Sequence, residues 1–144
     1  MTPRAEWVAH ILTYEGMKFM HQGRNPEVGI DCPGPLILGA RHFGIKPADF
    51  DVLGYSAKPD GSLKPILDEH LVPKHKADLL PGDVVLNAFH DGPEQHISII
   101  VGEGFGQWIV LHASSKARRV QRERIPYHRG FYRYVQGYGV PGVV

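Results

Sequence analysis

Cysteine is nearly absent: Cys32 stands alone in 144 residues. A single thiol excludes an intramolecular disulfide, a multi-cysteine zinc site and an iron–sulfur cluster. No apolar run approaches the roughly 18 residues that a membrane span needs. There is no internal repeat, no low-complexity tract and no linker long enough to separate a second domain. The opening stretch MTPRAEWVAHILTYE is charged at Arg4 and Glu6 and has no apolar core, so the expectation is synthesis in the cytoplasm without a secretion signal. Neither charge sign dominates: 16 basic residues against 15 acidic ones leave a formal +1, which excludes polyanion binding driven by bulk charge. What is present, 42% hydrophobic and 22% charged residues, is the profile of one domain over residues 1–144.

Helices are expected first and strands afterwards. Thr2 as cap and Pro3 at the first helical position, followed by Trp7, Val8, Ile11 and Leu12, predict an amphipathic helix over about 3–15. GMKFMHQGRNPEVG, glycine at both ends and without apolar period, reads as a wrapping loop. In IDCPGPLILGARHFGI, Asp31 can cap and Pro33 and Pro35 suit a first turn, so a helix is expected over about 32–43, ended by Gly44. A shorter helix led by Ser62 carries Leu63, Ile66, Leu67 and Leu71 and stops at Pro73. From Leu79 onward LLPGDVVLNAF, HISIIVG, QWIVLHASS and GFYRYVQGY read as strands of a small antiparallel sheet. The fold class is therefore α+β, with the helices on one face of the sheet.

Cys32 falls at a predicted helix N-terminus, where unpaired N–H groups and the helix dipole favour the thiolate, the nucleophilic form. A lone cysteine is more often a small buried apolar residue, but the Gly-Ile-Asp-Cys-Pro-Gly turn presents this one at a helix start. A thiol nucleophile needs an imidazole base, and the base needs a third polar group. Of nine histidines, His96 and His112 differ from the rest in lying on strand-like runs joined by the hairpin turn GEGFGQ. Antiparallel pairing brings the start of one run beside the end of the next, so both imidazoles meet on one sheet face. Backbone N–H groups at the start of the Cys32 helix would furnish a portion of an oxyanion hole.

GIDCPG followed by a helix, then PGDVVL, HISIIVG and VLHASS, in this order, resemble the NlpC/p60 family of cell-wall cysteine peptidases, compact relatives of papain. The resemblance covers nearly the whole chain and is nearest to the short forms of bacteriophage tail gene clusters. It implies Cys32 as nucleophile, His96 as base and His112 as the residue that orients it, with no metal or other cofactor. It also implies Phe19, His21 and Asp31 as substrate-binding positions. The family's Pro-Tyr pair ahead of the cysteine is replaced here by Lys18 and Phe19, which removes the tyrosine hydroxyl; His21 stands where an aromatic is common and offers a polar contact. Pro33 and Pro35 replace the usual Ser or Trp and Leu, which implies altered specificity or a reduced rate.

Three functional readings follow. The first is an endopeptidase that cuts the peptide stem of peptidoglycan, at the D-glutamyl to diamino acid bond by resemblance, as a component of a phage or phage-like tail tip. The second is a structural tail-tip or hub protein that keeps the fold for docking. The third, a zinc amidase or carboxypeptidase built from histidines, is weak because neither H-x-H nor H-E-x-x-H spacing occurs. Lys116, Arg118, Arg119, Arg122, Arg124, Arg129 and Arg133 face a single acid, Glu123, within residues 116–133. That stretch fits a solvated face, stem-peptide carboxylates or an acidic partner; no nucleic-acid motif accompanies it.

Overall fold

Trp7 and Ile11, one helical turn apart, are fully buried and anchor α1 (Arg4–Leu12). The structure is a computed structural model that describes residues 1–58, 60–89, 94–125 and 132–144. Expectations that fell on His90, Tyr127, His128, Arg129 and Phe131 lie outside the described residues. Helix α1 is shorter than its sequence pattern at both ends. Pro3 takes the cap position, because Thr2 is drawn into a parallel bridge with Val143 and donates its N–H to the Gly142 carbonyl at 2.7 Å. Residues 13–15 continue as single turns.

The wrapping loop holds a two-stranded ribbon, β1 (Arg24–Asn25) and β2 (Gly29–Ile30). Helix α2 (Gly34–His42) starts two residues past Cys32, with Pro33 as cap and Pro35 in its first turn. It lies close to α1 at Gly39, where an added Cβ would stand 2.9 Å from Ile11 and 3.0 Å from the Trp7 ring. Helix α3 (Leu63–His70) follows Ser62 as expected, though Ser62 makes no side-chain cap. Leu71 is already extended, so the helix ends before Pro73; that proline sits instead in the strand β3 (Val72–Lys74). Strand β3 has a neighbour on one side only, where a missing N–H is tolerated.

The remaining strands are β4 (Val84–Phe89), β5 (Glu94–Gly104), β6 (Gln107–Ser114), β7 (Arg119–Ile125) and β8 (Tyr132–Gly139). Among the described residues they and β3 form one antiparallel sheet ordered β3-β8-β4-β5-β6-β7. Two features depart from the simple meander. Arg119–Ile125, read as a basic stretch, is a strand whose Val120 and Ile125 are buried while Arg119, Arg122 and Arg124 face outward. The last strand returns to lie between β3 and β4.

Side-chain alternation gives the sheet two apolar faces. Val84, Leu86, Ile97, Ile99, Leu111 and Ala113 pack under the helices with Trp7, Ile11, Leu63 and Tyr138. Val85, Ile100, Val110 and Ile125 form a smaller cluster on the opposite face with Leu79, flanked by half-buried Trp108 and Tyr134. The Lys76 ammonium stands 5.9 Å from the Trp108 ring and 5.0 Å from that of Tyr134. Trp7 instead donates its indole N–H to the Gly82 carbonyl at 3.1 Å. Asp83, fully buried at the start of β4, accepts from Arg4 at 2.9 Å and from Lys74, tying α1 and β3 to the sheet. No described helix is long and apolar enough to cross a membrane.

Candidate active site

His96 and His112 meet across β5 and β6. The pairing of Ile99 with Leu111 and Ile100 with Val110, continued toward the strand ends, sets His112 opposite Ser98 and His96 on the diagonal, within reach of an imidazole. Nε2 of His96 lies 2.8 Å from Nδ1 of His112 with the rings nearly perpendicular. Nε2 of His112 is in turn 3.2 Å from Oε2 of Glu123 on β7. The contact is one of charge without hydrogen-bond geometry, and the pull of the carboxylate favours the His112 proton on Nε2; in that tautomer its Nδ1 accepts from Nε2–H of His96, which places the basic lone pair of His96 on Nδ1. Gln121 steadies the carboxylate by donating to Oε1 of Glu123 at 2.6 Å.

The thiol comes from the turn that leads into α2. Cys32 is a half-buried residue packed against the helix-side core. Among the groups that act on its sulfur are the backbone N–H of Ile97, the residue after His96, and its own N–H. Burial pushes the thiol up to about 12, the neighbouring Asp31 carboxylate adds to this, and the two N–H groups and Arg24 oppose it. Burial, then His112, hold His96 down to about 3. Burial also keeps His112 below its ordinary value against the pull of Glu123. Cysteine and histidines therefore rest as neutral groups near pH 7. The thiolate expected from the helix N-terminus is not the resting form, because desolvation outweighs a nine-residue helix whose first turn begins two residues away.

The helix start is also poor in oxyanion donors. Pro33 and Pro35 have no N–H, and the Gly34 N–H is taken by the Asp31 carbonyl at 3.0 Å. What remains near the sulfur are the N–H groups of Cys32 and Ile97. Asn87, the register partner of His96 on β4, is buried and its Nδ2 has no hydrogen-bond acceptor among the described residues.

Asp31 does not cap α2. Its carboxylate accepts from the Gln22 N–H at 2.7 Å, from Arg24 at 2.8 Å and from the Tyr55 hydroxyl. Arg24 also reaches Asp51 at 2.8 Å and the Tyr55 oxygen at 2.7 Å. This knot fastens the ribbon to residues 51–55 and fixes the turn that holds Cys32. His21 stands at its margin, 3.9 Å from the Asp31 carboxylate and edge-on to Tyr55. Phe19 is half-buried against the helix-side core and bridges Ile30, while Lys18 bridges Arg119. Sequence reasoning missed Glu123, Tyr55, Arg24 and Asn87. Only Glu123 carried a signal, as the single acid in a basic run. No group of three or more metal-ligating side chains is present among the described residues.

The fold is that of the papain-like NlpC/p60 domains. The chain is similar to the NlpC/p60 domain of peptidoglycan hydrolase SagA, with a TM-score of 0.62, 19% identity and coverage of 95% of this chain and 98% of that one. An NlpC/p60 family protein from Bacillus cereus gives a TM-score of 0.66 at 18% identity, covering 95% of this chain and 40% of that one. NlpC2 from Trichomonas vaginalis gives 0.61 at 21% identity, covering 95% and 46%. The chain thus spans less than half the length of these last two. No family model and no curated protein matches it.

Proposed function

We infer that the chain is a cysteine endopeptidase that hydrolyses an amide bond in the peptide stem of bacterial peptidoglycan. The observation that carries this reading is the buried His96–His112 pair at 2.8 Å, next in the chain to Ile97, whose N–H acts on the lone thiol of Cys32, in a fold shared with a peptidoglycan hydrolase domain. In the reaction, Nδ1 of His96 takes the thiol proton as the sulfur attacks the scissile carbonyl. His112 and Glu123 hold the imidazolium that forms. The tetrahedral oxyanion is met by the remaining N–H donors at the sulfur, His96 returns the proton to the leaving amine, and a thioester forms. Water activated by His96 then releases the acid and restores the thiol. Because thiol and imidazole start neutral, proton transfer accompanies attack instead of preceding it.

By resemblance the bond is that from D-glutamate to the diamino acid, and the place of action is the tail tip of a phage or phage-like particle that opens the wall locally. By the same resemblance Phe19, His21 and Asp31 serve the stem, Asp31 acting through the turn it fastens. The neutral thiol and the loss of N–H donors at Pro33 and Pro35 favour one second reading, a tail-tip docking protein with little or no catalysis.

Digestion of defined muropeptides by the purified chain, beside Cys32→Ala, decides between the two, with products read by mass spectrometry. Cleavage by the wild type that Cys32→Ala abolishes is the expected result and names the bond. No cleavage by either protein, with Cys32 resistant to alkylation even at high pH, would leave the docking reading.

A further inference from the structure

A cavity of about 350 Å³ opens between α2, α3 and the C-terminal residues 140–142. Leu36, Ala40, Leu67, Ile97 and Val140 line it, and residues 45–55 form its outer wall. Folded cores leave few voids larger than a water, and an apolar void of roughly 150 Å³ already holds a benzene. At the roughly 30 Å³ that one water-sized group occupies, this cavity has room for on the order of ten non-hydrogen atoms.

Its polar groups are few and lie together. Lys46 and His70 are half-buried in the wall, Nζ of Lys46 standing 3.4 Å from Nδ1 of His70. Phe50 closes the corner, with Lys46 4.9 Å from its ring centroid and His70 edge-on at 5.3 Å. Among the described residues no carboxylate pairs with either group, although Lys64 and Asp68, on the helix that carries His70, do pair with each other. Tyr55 also lines the cavity, but its hydroxyl is spent on Asp31 and Arg24. An apolar chamber with one uncompensated cation at its edge matches an apolar chain that ends in an anion. The charged, amide-rich residues of a peptide stem do not match it, so the chamber is not where the stem would bind.

We propose that the chamber between α2 and α3 is a binding site for an aliphatic monocarboxylate of about ten carbons, its tail among Leu36, Ala40 and Leu67 and its carboxylate on Lys46 and His70. The occupant rests against Pro33, which follows Cys32 in the chain, and Ile97, whose N–H acts on the Cys32 sulfur, although binding requires no catalysis.

Calorimetry and thermal melting of the whole chain with decanoate and with decanol, both below their aggregation concentrations, test this. Decanoate should bind with a Kd on the order of tens of micromolar and raise the Tm, and decanol should bind more weakly. Lys46→Met should weaken decanoate about tenfold, as loss of a charge-assisted bond does, and leave decanol unchanged. Ala40→Phe and, on the other wall, Ile66→Phe should abolish binding of both while each protein still melts cooperatively. Absence of decanoate binding to the wild type overturns the site. Equal binding of decanol and decanoate, or decanoate affinity indifferent to Lys46→Met, overturns the carboxylate end.

Discussion

Cys32 and His96 are each displaced from their ordinary proton affinities in the direction that keeps them uncharged, up to about 12 and down to about 3. The displacement is testable on the cysteine alone. Thiolate is the form that reacts with iodoacetamide, so the alkylation rate of Cys32 should climb close to tenfold per pH unit from about pH 7 to 9, without a plateau. A fast rate already level at neutral pH would show a preformed thiolate–imidazolium pair and contradict the neutral resting state. At this scale the sequence revealed a good deal. A single cysteine before a helix and two histidines on neighbouring strand-like runs can be found by inspection. The charge state of the thiol could not be found that way, because it depends on which side chains bury the sulfur. Nor could the roles of Tyr55 and Arg24, which reach Asp31 across 24 and 7 residues of chain.

Strand β7 shows where element reading fails. Its hydrophobic positions, Val120 and Ile125, are five apart and fall on opposite faces, so two-residue alternation leaves almost no apolar signature. Packing supplies what the pattern lacks, since β7 pairs with β6 from Trp108 to Ser114. That pairing turns Gln121 and Glu123 toward His112. Glu123→Leu should therefore lower kcat on a muropeptide by about one to two orders of magnitude with KM little changed, by freeing the His112 tautomer. Its Tm should stay near that of the wild type, as the Glu123 side chain is 36% exposed. A rise in KM or a fall in Tm with kcat intact would mean that the carboxylate serves binding or folding instead. Helix α2 and the hairpin of β5 and β6 were legible for the opposite reason: their proline, glycine and β-branched residues act locally.

Buried neutral histidines shape the stability of the molecule as a whole. His96 is held to about 3 when folded and has an ordinary value of 6.5. Between those values the unfolded chain binds a proton that the folded chain refuses, so stability is full above about pH 6.5 and is lost as pH falls toward 3. His10 and His112, both lowered, act in the same direction. Urea midpoints should drop steadily through this window, and His96→Gln should flatten the slope; an unchanged slope would assign the acid sensitivity to other groups. The α+β architecture was readable from helices preceding strands, but the position of β8 between β3 and β4 was not, since it is set by contacts remote in the chain.

The two tryptophans divide the molecule optically. Trp7 is sealed on the helix side of the sheet and bonded to the Gly82 carbonyl, whereas Trp108 lies on the other side beneath an ammonium group. With one indole replaced by phenylalanine, the emission of the survivor reports on a single face. Two emission curves that coincide during unfolding would mean that both faces melt as one unit, and two that separate would identify which layer loosens first.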